Sequence, residues 1–166
     1  MKPFDEMLVG ETGVRQPYER FHAWYRQQDP ELLVEKAGEA EGFFRRTGIT
    51  FAVYGEAEAA ERLIPFDLVP RIINNREWQR LAEGIEQRVR ALNMFLHDIY
   101  HDQEIVKAGK IPARLIEGNA AFLPEMIGFT PPGGVYTHII GTDIVRVGED
   151  QFYVLEDNAR TPSGVS

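Results

Sequence analysis

The sequence predicts a mixed α/β (α+β) chain: a helical N-terminal part packed on a small mixed or antiparallel sheet, ending in a β-hairpin. Three observations carry this expectation. Trp78, Leu81, Ile85, Val89, Leu92, Phe95, Leu96 and Ile99 recur every three or four positions, the period of an amphipathic helix. Shorter stretches with the same spacing precede them, from Pro17 and again from Asp29. In the last thirty residues, two apolar runs flank Gly148-Glu149-Asp150-Gln151, a polar, glycine-containing turn. That is the pattern of a hairpin.

Residues 1–16 are mixed, contain Gly10 and Gly13, and read as an arm or loop. The first helix carries Tyr18, Phe21, Trp24 and Tyr25 at helical spacing. His22 beside this stripe reads as a packed or surface histidine. Asp29-Pro30-Glu31 is a helix start, with an N-cap acid ahead of a proline in the first turn. Leu32, Leu33, Ala37, Ala40, Phe43 and Phe44 follow on this second helix, and Thr47-Gly48 stops it. The two helices read as scaffold. Ile49 to Gly55 is rich in β-branched and aromatic residues and predicts a strand. After an acidic, alanine-rich segment (Glu56 to Arg62), Pro65 and Pro70 forbid a regular helix in Leu63 to Ile73. This stretch is expected to be extended and to pack onto the core.

The longest helix is expected over about 75–100, with Asn74 and Glu77 at capping-box spacing. Its other face carries Arg76, Arg80, Glu83, Glu86, Arg90 and Asp98 and is expected to be wet. Gly84 weakens the helix slightly and would permit close packing. Gln103 to Ala108 predicts a short helix ended by Gly109, and Glu117 to Met126 another. Pro131-Pro132-Gly133-Gly134 marks a connector into the hairpin.

A chain of 166 residues, 43% hydrophobic and 27% charged, is long enough to bury a core. No apolar run approaches a membrane span, and Met1 to Met7 lacks the apolar stretch of a signal peptide. The cytoplasm is the expected compartment, with no membrane partner. The lack of cysteine excludes disulfides, thiolate zinc sites and cysteine nucleophiles. A net charge of −8 argues against nucleic acid as a partner.

The candidate chemistry lies in the hairpin. If its turn is symmetric, position 147 faces 152 and Asp143 lands opposite Glu156. Side chains alternate along a strand, so Asn158 shares their face. Opposed like charges destabilise a cross-strand pair. A hard divalent cation such as Mg²⁺ is the simplest compensation, since it favours one or two carboxylates with further oxygens from water and phosphate. The competing reading is a solvated edge hairpin, and a single bulge would separate the carboxylates. Arg160-Thr161-Pro162-Ser163-Gly164 follows the acidic strand. Arg160, Ser163 and the backbone at Gly164 form a candidate anion site beside the metal face, against an ordinary polar turn.

Elsewhere, His97 and His101 have zinc-compatible spacing but lack the adjacent glutamate and a third ligand. Histidine also suits a helix C-terminus. A P-loop and a dinucleotide fingerprint are absent. A hydrolase reading of Ser163-Gly164 lacks the strand–elbow–helix context. A glycosidase reading of Asp143 and Glu156 would hold them too close for inversion and leave Asn158 without a role.

Val154-Leu155-Glu156-Asp157-Asn158-Ala159-Arg160-Thr161-Pro162-Ser163-Gly164-Val165-Ser166 resembles the Leu-Glu-Asp-Asn…Pro-Ser-Gly-Val-Ser motif of circularly permuted ATP-grasp proteins. These are similar to the synthetase domain of glutathionylspermidine synthase. The resemblance extends upstream through Phe51 to Gly55, Ile64 to Ile73, and Trp78 to Leu96, and so covers most of the chain from about residue 15. It implies residues 1–16 as an arm and 17–166 as the N-terminal part of an ATP-grasp domain. The activity implied is ATP-dependent joining of a small-molecule or peptide carboxylate to an amine through an acyl-phosphate, with ATP and Mg²⁺ as cofactors. Asp143, Glu156 and Asn158 match the family's metal ligands residue by residue. The arginine that the glutathionylspermidine synthase pattern places two residues before the acid is Gly141 here. Arg160 and Arg146 are the candidates for its place, and Arg160 would then be catalytic. The lysines and backbone segments that grip ATP in the family are not matched in this chain. The expectation is therefore an N-terminal fragment of a longer ligase, inactive alone, that needs the remainder of the domain. The alternatives are a non-catalytic scaffold or interaction domain that keeps the fold, and a metal-binding module without ATP chemistry.

Overall fold

Helical periodicity and turn chemistry account for most of the elements in the structure, a computed structural model that describes residues 4–52, 61–63 and 65–162. Two compact units are present: residues 5–74, and residues 75–166 together with 1–4.

In the first unit, β1 (Leu8–Val9) and β2 (Gly13–Val14) form a short antiparallel pair within the arm. The Asp5 carboxylate accepts from the backbone N–H of Met7 and Leu8 at 2.9 and 2.7 Å, which fixes the chain entering β1. α1 (Glu19–Tyr25) and α2 (Pro30–Thr47) follow. The Asp29 side chain accepts from the Glu31 N–H at 2.9 Å, as an N-cap should. Gly48 ends α2 at φ +68°, a left-handed conformation that a residue with a Cβ adopts only at a cost. Tyr18, 1% exposed, anchors the unit. Its hydroxyl accepts from the Ile72 N–H at 2.8 Å and so fastens the irregular stretch around Pro70 to the start of α1.

β3 (Thr50–Ala52) pairs antiparallel with β4 (Glu61–Leu63). The remainder of the expected strand, Val53 to Gly55, lies outside the described residues. β4 occupies a stretch whose composition gives no strand signal. Its place follows from β3, whose backbone N–H and C=O groups need a partner.

The second unit is built on α3 (Asn75–Tyr100). Ile99 and Tyr100, at its C-terminal end, form the core with Ile116, surrounded by Phe95, Leu96, Ile105, Val106, Phe122 and Tyr136 among others. Asp98 closes the corner after α3 by accepting from the Glu104 and Ile105 N–H groups at 2.8 and 3.0 Å, which starts α4 (Glu104–Lys107). The second short helix differs from expectation: α5 spans Arg114–Glu117, and only a 3-10 turn at Pro124–Met126 follows. The Asn119 side chain accepts from the Ala121 N–H at 2.9 Å, a local turn that competes with helix, and Pro124 has no N–H to continue one. Instead, the Tyr100 hydroxyl accepts from Leu123 N–H at 3.2 Å.

The close packing expected at Gly84 is not made, since a Cβ there would meet no atom within 4 Å. β5 (Gly141–Gly148) and β6 (Gln151–Asn158) form the terminal hairpin. The mixed class and the hairpin ending are thus as expected. Among the described residues the strands form three separate two-stranded antiparallel sheets. No helix among these residues is long and apolar enough to cross a membrane.

Candidate functional site

Asn93 sets the entry to the hairpin. Its Oδ1 accepts from the Tyr136 and Thr137 N–H groups at 2.8 and 3.3 Å, and its Nδ2 donates to Thr137 Oγ1 at 3.2 Å. From there β5 runs out and β6 returns.

The register is Asp143 opposite Glu156 and Gly141 opposite Asn158, as symmetric counting predicts, although the hairpin is not regular. One shift lies between Arg146 and Gly148, leaving Val147 extra on β5. A second lies between Asp143 and Ile144 and leaves Leu155 extra on β6. Position 147 therefore does not face 152; Phe152 pairs with Arg146 instead. The two irregularities cancel at the acidic pair.

The second shift also sorts the faces of β6. Phe152, Val154, Glu156 and Asn158 have the same parity and would share one face of a regular strand. With Leu155 bulged, the first two and the last two face opposite ways. Phe152, Val154 and Ile144 line a cleft of about 490 Å³ with Leu81, Ile85 and Ala91 of α3. Asp143, Glu156 and Asn158 are exposed. Asn158 Nδ2 donates to Glu156 Oε1 at 3.2 Å, so these two side chains meet. The Asn158 Oδ1 faces no protein donor among the described residues.

The helix-facing side is heavily tied. Arg88 donates from Nε and Nη2 to Asp157 Oδ2 at 2.7 and 2.6 Å, and Thr142 Oγ1 donates to Asp157 Oδ1 at 3.0 Å. The Arg88 hydrogen bond holds the Asp157 carboxyl below the usual carboxylate range; partial burial opposes this, and the Thr142 bond adds to it. Near the turn, Arg146 pairs with Glu77 at 2.7 Å, both side chains being almost fully buried at 2% and 4% exposure. Its guanidinium lies over the rings of Phe4 and Phe152 and donates to the Gly148 and Glu149 carbonyls. Asp150 receives Arg76 and Arg80 at 3.5 and 3.2 Å.

The two arginines singled out by the sequence are placed differently. Arg146, one of the two sequence candidates, is committed to Glu77 and the turn. Arg160 is exposed just past β6. Ser163 and Gly164, the other two members of the candidate anion site, lie outside the described residues. A Cβ built on Gly141 would stand 3.2 Å from Pro162 Cβ and 3.7 Å from Asn158 Cβ. Pro162 therefore takes much of the space that a side chain at 141 would need.

The histidine pair is bound into the connector. His97 and His101 stack at 4.1 Å between ring centroids. His97 Nδ1 meets the Tyr136 hydroxyl at 3.1 Å; His101 Nδ1 meets the His97 carbonyl at 2.8 Å, and its Nε2 meets Thr130 Oγ1 at 3.0 Å. Three of the four ring nitrogens are thus engaged. Among the described residues, no group of three or more His, Cys, Asp or Glu side chains could hold a metal ion. The hairpin trio is two carboxylates and an amide.

Sequence reasoning had not singled out Asp157, Thr142 or Arg88 for this site. One signal was available: Asp157 has the opposite parity to its neighbours Glu156 and Asn158, and a carboxylate on the helix side of a strand needs a donor.

Residues 70–166 match the model of the family described as circularly permuted ATP-grasp type 2. An uncharacterized protein of Synechocystis sp. is 42% identical over 98% of this chain and 34% of its own length. An uncharacterized protein of Mycobacterium leprae is 46% identical over 98% of the chain and 28% of its own. A Frankia casuarinae protein provisionally named a glutamate–cysteine ligase is 37% identical over 98% and 19%. The chain thus spans about a third or less of the length of these relatives. The matched region contains α3, the core around Tyr100 and the whole two-faced hairpin, and by it the chain belongs to the circularly permuted ATP-grasp type 2 family.

Proposed function

We propose that this segment supplies the metal ligands for Mg²⁺-ATP in a carboxylate–amine ligase, and that Asp143, Glu156 and Asn158 are those ligands. The observation that carries the reading is the pairing of Asp143 with Glu156, with Asn158 beside them on one exposed face. Among the described residues neither carboxylate has a cationic partner, and the Asn158 amide is the one side-chain donor that reaches Glu156. The donor set fits a hard cation: two carboxylates, and an amide oxygen directed away from the Asn158–Glu156 contact. Bound Mg²⁺ would supply neutralisation of phosphate charge during phosphoryl transfer.

The chain's own residues hold the ligands on a paired strand rather than a loop, and orient the amide through Glu156. Arg160, exposed just past the ligands, would meet a phosphate oxygen. The substrates inferred are a small-molecule or peptide carboxylate and an amine. The name of the Frankia relative, glutamate–cysteine ligase, supports peptide-bond chemistry of this kind. Gripping the nucleotide is assigned to parts of the domain beyond this segment, so the segment alone would bind metal without turnover. One observation favours a second reading, a non-catalytic domain that keeps the fold: Gly141 stands where the related pattern has an arginine, and Pro162 crowds that position.

Titration of Mn²⁺ with and without ATP into the chain tests the assignment. Glu156→Gln and Asn158→Ala are expected to weaken binding by about tenfold or more, as loss of a metal-site partner does. Wild-type affinity in both variants would sink it.

A further inference from the structure

The face that carries Asp143, Glu156 and Asn158 is set by a register that a one-residue slip of β6 would turn over. Continued regularly past Val154, β6 would set Leu155 against Asp143, Glu156 against Thr142 and Asp157 against Gly141. A slip of one residue turns every side chain to the other face. Glu156 would then point at α3, and Asp157 would take its place on the exposed side. The slip absorbs a bulge and exposes no additional apolar pair, because Leu155 is already 70% exposed. Strand pairing alone therefore discriminates weakly between the two registers.

What differs between them is Asp157. In the observed register its side chain is 10% exposed. Arg88 of α3 holds one carboxylate oxygen and Thr142 of the facing strand holds the other. In the slipped register Asp157 would leave both partners. Arg88 and Thr142 would then face Glu156, whose carboxylate stands one methylene farther from the strand than that of Asp157 and would not reproduce the observed fork and hydroxyl contacts. We propose that Arg88 is the positioning residue of the metal face: by holding Asp157 on the helix side, it keeps Glu156 and Asn158 turned outward beside Asp143. The functional consequence rests on the Mg²⁺-ATP reading.

Arginine is suited to this role. Both of its contacting nitrogens reach the same Asp157 oxygen, so a lysine would keep one contact and the charge but lose the fixed fork. Arg80 is a matched control on the same helix. It reaches Asp150 at the turn and touches neither Asp157 nor the trio.

The test uses the ¹⁵N-labelled chain with Arg88→Ala, Arg88→Lys and Arg80→Ala. Hydrogen exchange of the backbone amides at 141–143 and 156–158, together with the Asn158 side-chain amide signal, reports the register without any metal. Mn²⁺ affinity is read in parallel. In Arg88→Ala, exchange at these amides is expected to rise about tenfold while the Val145–Tyr153 end stays protected, a local opening rather than global unfolding. Mn²⁺ affinity is expected to fall about tenfold or more. Arg88→Lys should restore part of both, and Arg80→Ala should change neither at this end of the hairpin. If Arg88→Ala does not fold, Arg88→Lys and Asp157→Asn carry the comparison. Wild-type exchange and an unshifted Asn158 amide in the Arg88 variants overturn the proposal, as does an equal loss of protection along the whole hairpin. Failure of the metal reading shows separately, as wild-type Mn²⁺ binding in Glu156→Gln, and leaves the exchange result to decide the register.

Discussion

Arg146 and Arg160 differ by fourteen positions and belong to different problems. Arg146 is buried with Glu77, and removing one member of such a pair strips this contact from a charge that stays buried. Arg146→Met is expected to lower stability by about 3–5 kcal/mol in urea unfolding, with Mn²⁺ affinity of the folded fraction unchanged. An affinity loss without a stability loss would return Arg146 to the site. Gly141 poses the opposite problem, lack of room. Gly141→Ala is expected to cost about 1 kcal/mol through contact with Pro162, and the cost should shrink in a Pro162→Gly background. Asp157 contributes a pH dependence of known sign. Its folded pKa is lowered, chiefly by the Arg88 hydrogen bond. The stabilisation is therefore present above the unfolded value of about 3.9 and disappears as pH falls through the lower folded value. The stability difference between wild type and Asp157→Asn, followed by thermal melts, should narrow below about pH 4. The opposition of Asp143 and Glu156 was legible at this scale, because counting outward from a four-residue turn reaches it. The contact of Arg88 with Asp157 was not, because it joins positions 69 residues apart and no local pattern encodes it.

At the scale of elements, periodicity revealed what is long and caps revealed where it stops. α3 followed from its apolar stripe, and α2 from Asp29 at one end and Gly48 at the other. What escaped was decided by partners. β4 exists as the mate of β3, and the stretch after α5 is shaped by Asn119, Pro124 and the Tyr100 hydroxyl. Bulges belong to the same class, since composition does not mark Val147 or Leu155 as extra. The hairpin nevertheless reached the expected acidic pair because its two irregularities are on opposite strands and compensate. This has a checkable consequence. Deleting Leu155 removes the bulge but leaves Val154 opposite Ile144 and Glu156 opposite Asp143, now as consecutive pairs of a regular ladder. The variant is expected to keep the Asp143–Glu156 cross-strand contact in nuclear Overhauser spectra, along with Mn²⁺ binding. Loss of that contact, with Glu156 moved to the helix side, would show that the bulge itself fixes the face.

For the whole molecule, the division at residue 74 places the acidic face, α3 and the Tyr100 core in one unit and the α1–α2 pair in the other. A ligand that binds only the folded state stabilises it by mass action, about 2.7 kcal/mol at a hundredfold excess over Kd. That stabilisation should appear where the ligand is held. It must be separated from a general effect, because a net charge of −8 makes any divalent cation favourable by screening. Screening acts on exposed acids in both units, including Glu35, Glu39 and Glu41 on α2, whereas coordination acts on the hairpin. Hydrogen exchange with Mn²⁺, at matched ionic strength, is therefore expected to slow across 141–158 and the adjoining part of α3. Residues 19–47 should not change. Glu156→Gln should abolish the difference between the units while leaving any uniform screening effect in place. Equal slowing of both units in wild type, unaltered by that substitution, would mean that the cation is a counterion and the trio holds no metal.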